Sequence, residues 1–311
     1  MTFQDKPVPG PQRDFIGYGR HKPRVEWPGK AMVAVNFCIA YEEGAERSLP
    51  SGDARGESLS GTYPAGDTHR DLAVETIFEY GSRAGIWRLA NLLDEHRIPA
   101  TLFAAAVALE RNPEVCAWVR ETGNDICCHG WRWAEPWLFD EGEERRRIAM
   151  AVESVLQTTG RRPVGWRSRT GPSVNTRRLL IEEGGFLYDS DSYNDDLPYF
   201  PTDAGRHLVV PYTLTYTEGR LVQPVGYTSP ADFWETCRLG LDELRREGRA
   251  GFPKMMSVGL HPRHTGQAGR MAELRSFIEY ALSCGDVWFA RREDIARHWI
   301  NNHATFTRSS R

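Results

Sequence analysis

Four short segments carry side chains that are capable of acid–base or ligand chemistry. They are "AYEEG" with Glu42 and Glu43, "CCHGW" with His129, "GWRSRTGPSVN" with Arg167, Arg169 and Asn175, and "LHPRHTG" with His261 and Arg263. Carboxylates act as general bases, imidazoles exchange protons near neutral pH, and guanidiniums bind carbonyl or carboxylate oxygens. This mixture favours a catalytic site over a plain hydrophobic core.

The two glutamates follow the apolar run "AMVAVNFCIA", which is typical of a buried strand. Strand alternation turns one of them inward and the other away. An isolated glutamate pair is more often a solvated acidic loop, but the strand before this pair and Gly44 after it favour a functional role. Glu42 or Glu43 is then a candidate general base acting on water.

His129 lacks the partner that would make a metal clamp, because Trp133 stands four residues later. A lone histidine at a strand end is more often hydrogen-bonded structure than a catalyst. Cys128 beside it suggests a thiol nucleophile activated by histidine. Adjacent strand residues point to opposite faces, however, so Cys127 and Cys128 are predicted to be core.

The later segments offer a candidate acid and oxygen ligands. His261 could protonate a leaving nitrogen at neutral pH, and Arg263 could bind an oxygen, although a basic surface loop is the alternative. The arginine loop with Asn175 is either an oxygen-binding loop or the start of a helix. The acidic stretch from Asp189 to Asp196 is assigned no firm role, since charge runs are usually solvated.

Strand-like and helix-like segments alternate along the chain from residue 31 onward, which predicts an α/β fold with a parallel sheet, as in a (β/α) barrel. In a barrel the carboxyl ends of the strands meet at one face, where such enzymes hold their chemistry. Residues 1–30 are predicted to be an extended arm, 31–300 a single barrel domain and 301–311 a tail. A polar loop from Arg47 to about Arg70 is predicted to be a lid, a binding loop or a contact surface.

Composition excludes several classes of protein. The chain has 311 residues, of which 40% are hydrophobic and 26% are charged, as in soluble globular proteins. A net charge of -3 disfavours nucleic acid and anionic membranes as partners, and leaves a small molecule as the expected one. The chain shows no apolar run of about 20 residues and no signal-peptide pattern, so a cytoplasmic location is predicted. Six scattered cysteines are expected to be reduced.

The order of these motifs resembles the polysaccharide deacetylase superfamily of carbohydrate esterases. The segments "RDFIGYG", "YEEGAE", "EYGSRAG", "EEGGFLYDSDSY" and "VWFARREDIARHW" are similar to its metal-independent allantoinase and cyclic imide hydrolase branch. The similarity extends from about Arg13 to Trp299. It implies a distorted (β/α) barrel of the NodB-like type, hydrolysis of carbon-nitrogen bonds other than peptide bonds, a place in purine catabolism, and commonly a homotetramer.

The resemblance also implies roles for individual residues. It puts Glu42 at the catalytic carboxylate, Glu43 at the acidic metal ligand, His129 at the first histidine ligand and His261 at the histidine acid. Trp133 replaces the second histidine ligand, so no cofactor is expected and zinc is disfavoured. Any metal would have to bind through Glu43 and His129. The loops around these residues differ from the family pattern, which leaves the reaction class better defined than the substrate.

The leading hypothesis is ring-opening hydrolysis of a cyclic ureide or imide. Glu42 is the general base, with its basicity raised by burial, and His261 is the general acid. Arg169 and His129 stabilise the oxyanion. The residues expected to bind substrate are Glu43, His129, Trp133, Arg169, Asn175 and Arg263. Two alternatives stay open: an N-deacetylase of an amino sugar or oligosaccharide, and a catalytically silent protein that binds a small molecule or sugar.

Overall fold

The computed structural model describes residues 8–58, 69–202, 204–219, 226 and 229–306. Its centre is a parallel sheet. The strands are β1 (Val33–Tyr41), β2 (Ala100–Ala104), β3 (Asp125–Cys128), β4 (Gly165–Trp166), β5 (Tyr188–Asp189), β6 (Leu208–Val209), β7 (Lys254–Leu260) and β8 (Val287–Phe289). Every residue of β1 is buried, as expected for a strand covered on both faces.

The sheet curves in the order β6-β5-β4-β3-β2-β1-β7, and β8 pairs with the first residues of β1. Gly259 of β7 forms an isolated parallel bridge with Thr217, so the segment after β6 reaches β7 without a full strand. The result is the distorted (β/α) barrel predicted from the sequence. Within it, Tyr41 pairs with Ala104, and Ala104 pairs with Cys128, which aligns the carboxyl ends of three strands.

Helices cover the outside of the sheet and connect its strands. They are α1 (Leu72–Tyr80), α2 (Ile86–His96), α3 (Ala106–Arg111), α4 (Pro113–Thr122), α5 (Glu141–Thr159), α6 (Thr176–Glu183), α7 (Pro230–Arg249), α8 (Pro262–Thr265), α9 (Ala268–Ser283) and α10 (Arg292–Asn302). Local sequence explains their ends: Asp140 caps α5 by accepting from the N–H of Glu143, and Gly160 ends α5 with a positive φ of 73°. No helix in the described ranges is long and apolar enough to cross a membrane.

A π-helical turn, Gly81–Gly85, joins α1 to α2. A Cβ atom at Gly81 would lie 2.4 Å from Oε1 of Glu43, and one at Gly85 would lie 2.1 Å from the carbonyl oxygen of Pro262. The two glycines therefore let this helix approach both the end of β1 and the loop after β7. Such π-turns occur frequently at functional sites.

The described part of the N-terminal arm packs against the barrel. Trp27 is buried, its Nε1 donates a hydrogen bond to the carbonyl of Lys254, and its ring contacts Trp288 and Trp299. Lys254 begins β7, so the arm covers the amino ends of the strands. The domain boundaries stay a prediction; residues 1–7 of the arm, 59–68 of the long loop and 307–311 of the tail lie outside the described residues.

Candidate active site

The carboxyl ends of three strands deliver the candidate catalytic groups. Glu42 and Glu43 directly follow β1, His129 follows β3, and His261 lies between β7 and α8. Arg263 is in the first turn of α8. The expectation that strand ends bring these residues to one face is confirmed by their contacts.

Glu42 lies at the centre of the group and is 2% exposed. Its Oε1 is 3.4 Å from Nε2 of His129 and 4.0 Å from Nε2 of His261. Its Oε2 is 2.7 Å from NH2 of Arg263, the distance of a charge-assisted ion pair. A single carboxylate thus faces two imidazoles and one guanidinium.

Glu43 points in another direction, as strand alternation predicts. Its Oε2 accepts a hydrogen bond of 2.9 Å from the N–H of Glu42, and its Oε1 lies 3.4 Å from NH1 of Arg263. A cavity of about 360 Å³ lies beside it, lined also by Glu46, Phe78 and Arg111. Glu43 therefore shares Arg263 with Glu42 while facing different surroundings.

The two carboxyls have opposite pKa shifts. Burial acts to raise the pKa of Glu42, but the charge of Arg263, together with that of His261, outweighs it, and the net pKa is lowered. The expectation that burial raises the basicity of Glu42 is therefore wrong. Burial raises the pKa of Glu43 to about 7, with the charge of Glu42 adding to the rise against the opposing effect of Arg263.

Hydrogen bonds on both sides hold the ring of His129. Its Nδ1 lies 2.6 Å from the carbonyl oxygen of Arg167, which can only accept, so Nδ1 is assigned the hydrogen. Its Nε2 is then the acceptor for the indole N–H of Trp133 at 3.1 Å. Trp133 thus occupies the lone pair that a metal ion would use.

His261 is paired with Glu218, a residue that the sequence did not single out. Nδ1 of His261 lies 3.1 Å from Oε2 of Glu218, and the backbone N–H of His261 donates to the other carboxylate oxygen. Burial acts to lower the pKa of His261, but the charges of Glu218 and Glu42 outweigh it and raise that pKa. The pairing leaves Nε2 facing Glu42 and favours a protonated imidazole at neutral pH.

Arg169 does not reach the carboxylate centre. Its NH1 and NH2 donate to the two oxygens of Glu57 at 2.7 and 3.0 Å, and NH1 also donates to the carbonyl of Trp133. Its Cζ lies 3.6 Å from the centre of the Trp133 ring. These donors already bond to Glu57 and to the backbone of Trp133, so Arg169 positions Trp133. The geometry does not support the assignment of Arg169 as an oxyanion donor.

Asn175, a predicted substrate-binding residue, and Asp191 of the acidic stretch both lie apart from Glu42. The side chain of Asn175 accepts a hydrogen bond from Arg178 on the exposed face of α6, so the structure does not bring Asn175 into the site. The carboxylate of Asp191 accepts hydrogen bonds from the backbone N–H and the hydroxyl of Ser168. Ser168 directly follows Arg167, whose carbonyl oxygen accepts the hydrogen of His129. The acidic stretch contributes support rather than a reacting group.

The thiol alternative has no physical support. Cys128 is fully buried, and burial raises the pKa of its thiol to about 12. A thiol with so high a pKa supplies almost no thiolate at neutral pH. Both Cys127 and Cys128 belong to the hydrophobic core, as predicted.

The donor atoms around Glu42 do not fit a divalent metal. Glu43 and His129, the candidate ligands, direct their donor atoms to an N–H of Glu42, a guanidinium and an indole N–H. The indole nitrogen of Trp133 carries a hydrogen and has no lone pair to offer. Among the described residues no group of three or more His, Cys, Asp or Glu side chains is arranged to hold a metal ion.

Space for a small ligand adjoins the cluster at Glu43, in the cavity of about 360 Å³. A second cavity, next to His129 and Arg169, has a volume of about 30 Å³, which is room for one water molecule. A larger cavity of about 500 Å³ lies between the N-terminal arm and the segment around Asp195, near the amino end of β7. It is remote from the titratable groups at the carboxyl ends of the strands.

A parallel barrel with a carboxylate, two imidazoles and a guanidinium at its strand ends has the layout of a barrel hydrolase. The profile described as "Polysaccharide deacetylase" matches residues 66–188. A Schizosaccharomyces pombe protein named "Putative polysaccharide deacetylase" is 35% identical over 313 residues, covering 94% of this chain and 98% of its own length. The chain therefore belongs to the polysaccharide deacetylase family.

Two solved structures are similar over nearly the whole chain. One is described as a "probable Polysaccharide deacetylase from Pseudomonas aeruginosa PAO1", with 46% identity and a TM-score of 0.90. The other is PuuE allantoinase, with 46% identity and a TM-score of 0.89. Each alignment covers 94% of this chain and 98% of the other.

Proposed function

We propose that the protein hydrolyses a carbon-nitrogen bond of a small cyclic ureide or imide and opens its ring. The observation that carries the proposal is Trp133 donating to Nε2 of His129 beside Glu42. A metal-dependent deacetylase would need two histidines with free lone pairs at this position. Here the lone pair of His129 is occupied by Trp133, and a carboxylate with imidazoles is left to carry out the reaction. The likeness to PuuE allantoinase supports a ring amide as substrate.

In the proposed reaction a water molecule attacks the ring carbonyl and passes a proton to Glu42. His261 gives its proton to the nitrogen as the ring carbon-nitrogen bond breaks, which yields a carboxylic acid and, at the other end of the opened chain, the NH2 group of an amide or a urea. Glu42 faces Nε2 of His261 at 4.0 Å, so both groups reach one reacting centre. The carboxylate of Glu218 holds the opposite ring nitrogen of His261.

The low resting pKa of Glu42 is compatible with this role. Its carboxylate is ionised before the reaction, as a proton acceptor must be, and its pKa is held down partly by the charge of His261. When Glu42 has taken the proton of the water, its negative charge no longer raises the pKa of His261, and His261 becomes a stronger acid for the leaving nitrogen. The first proton transfer thus assists the second.

N-deacetylation of an amino sugar or oligosaccharide is the second candidate, because relatives carry that name. Allantoin, hydantoin, succinimide and chitooligosaccharides, assayed in parallel with the purified protein, distinguish the two. Ring opening of at least one cyclic substrate, with no acetate released from the oligosaccharides, is the expected result. Acetate release without ring opening would transfer the assignment to the deacetylase.

A further inference from the structure

We propose that the guanidinium of Arg263 takes the position of a divalent cation between Glu42 and Glu43. There it excludes metal and offers a permanent positive charge to the carbonyl oxygen of the substrate. The second half of this inference rests on the proposed hydrolysis; the first half does not.

One guanidinium contacts both carboxylates. NH2 of Arg263 is 2.7 Å from Oε2 of Glu42, and NH1 is 3.4 Å from Oε1 of Glu43. Arg263 is only 6% exposed, so its charge is screened weakly by solvent. A divalent ion brought to the same carboxylates would meet this cation at contact distance and be repelled.

Aromatic rings hold the guanidinium in place. Its Cζ lies 4.6 Å from the ring centre of Phe78 in α1 and 5.4 Å from that of Trp133. Both distances are within the range of cation–π contacts. Trp133, which stands where the second histidine ligand would be, thus also contacts the guanidinium of Arg263. The same residue therefore removes a metal ligand and helps to position the positive charge that takes the place of the metal.

The guanidinium keeps donors for a substrate oxygen. NH2 contacts one oxygen of Glu42 and NH1 contacts one oxygen of Glu43, so neither carboxylate is held by both nitrogens in a fork-to-fork pair. Arginine carries five N–H groups, and those not directed at carboxylates suit a carbonyl oxygen that gains negative charge.

Zinc binding by three variants tests the exclusion. The first variant, Trp133→His alone, restores a histidine and keeps the guanidinium of Arg263. The second, Trp133→His with Arg263→Met, has the histidine and no positive charge at position 263. The third, Trp133→His with Arg263→Lys, keeps a positive charge there without the planar guanidinium. Titration calorimetry with Zn²⁺ alone is expected to show the Met double variant binding more tightly than the other two by more than about a hundredfold. Thermal melts followed by circular dichroism check that each variant is folded, and Arg263→Gln replaces Arg263→Met if the latter does not fold.

Three results would overturn the exclusion. They are equal zinc affinity of the single variant and the uncharged double variant, failure of a folded uncharged double variant to bind zinc, and equal affinity of the Lys and Met double variants. For the catalytic half, Arg263→Met in the unchanged background is expected to lower kcat by roughly 10²- to 10³-fold, and Arg263→Lys by less. Unchanged kcat in Arg263→Met would overturn it. If the unaltered protein opens no ring, the proposed function fails, while the zinc comparison still decides the exclusion.

Discussion

The indole N–H of Trp133 donates a hydrogen bond of 3.1 Å to Nε2 of His129. This bond supports a prediction for Trp133→Phe, which keeps an aromatic ring beside Arg169 and Arg263 but removes the donor. Loss of one hydrogen bond at a half-buried site is expected to reduce the free energy of unfolding by about 1 kcal/mol. Trp133→Ala also removes the cation–π contacts and is expected to cost about 3 to 5 kcal/mol. Urea unfolding measures both: an unchanged free energy of unfolding in Trp133→Phe would show that the hydrogen bond contributes nothing, and equal losses in the two variants would show the same of the ring contacts.

Glu218→Gln tests the carboxylate that faces Nδ1 of His261. Glu218 raises the pKa of His261, so its replacement by a neutral amide lowers that pKa. The protonated imidazole is the proposed acid, and activity is therefore expected to fall at a lower pH on the alkaline side. At pH 8 kcat is expected to drop up to about tenfold, with KM little changed. A pH profile of kcat with the same alkaline limb as the unaltered protein would contradict the role of Glu218.

The catalytic candidates at the strand ends were predictable from the sequence. The carboxylates that contact them or their neighbours from irregular segments were not. Glu42, His129 and His261 each follow an apolar run that stops abruptly, and parallel strands bring such ends together. Glu218 and Glu57 lie in segments without periodicity. Glu218 contacts His261 from 43 positions away, and Glu57 contacts Arg169 from 112 positions away. No local pattern encodes contacts of that separation.

Backbone chemistry explains another difference between prediction and structure. The segment "HLVVPYTLTY" has the β-branched and aromatic residues that favour a strand, but only Leu208–Val209 pair as one. Pro211 has no N–H to donate, and the N–H of Tyr212 instead bonds to the carbonyl of Ser192. Asn175 precedes α6 as expected, yet its side chain turns outward to Arg178. The local sequence pattern predicts that a residue lies near the start of a helix, but it does not determine the direction in which the side chain points.

Gly85→Ala tests the contact between the π-turn and the start of α8, where Pro262 lies between His261 and Arg263. The new methyl group would lie 2.1 Å from the carbonyl oxygen of Pro262, so backbone must shift. We expect a loss of about 1 to 3 kcal/mol in the free energy of unfolding and a lower kcat. Gly269→Ala is the matched control: Gly269 is also helical, nothing lies within 4 Å of the added methyl, and a gain of up to about 1 kcal/mol is expected. Denaturation and assay of both variants would contradict the account if they behaved alike.

Asp125→Asn is predicted to reduce the pH dependence of stability. Burial raises the pKa of Asp125 to about 7, and its Oδ1 accepts no hydrogen bond from the described residues. The folded protein therefore holds this proton more tightly than the unfolded chain, in which the pKa is near 3.8. The stabilisation is complete below about pH 4 and is lost as the pH rises through 7, by roughly 4 kcal/mol.

Urea unfolding at pH 4.5 and 7.5 measures this effect. The loss of stability between the two pH values is expected to be smaller in Asp125→Asn; part of it persists because burial also raises the pKa of Glu43 to about 7. Glu141→Gln is the control, since Arg178 lowers the pKa of that exposed carboxyl and its titration lies below this range. If Asp125→Asn lost as much free energy of unfolding between pH 4.5 and 7.5 as the unaltered protein, Asp125 would not be the group responsible.

The most direct test uses the cyclic compound that the protein opens fastest in the parallel assay. Its rate of ring opening is measured with protein treated with a strong chelator, and the zinc, cobalt and manganese contents are measured on the same sample. Because the proposed reaction runs on Glu42 and His261, the rate is expected to be unchanged at a metal content far below one ion per chain. Glu42→Gln, treated identically and folded, is expected to lose at least about 10²-fold in kcat. A rate that disappears with the metal and returns when zinc is added would contradict the proposed metal-free reaction.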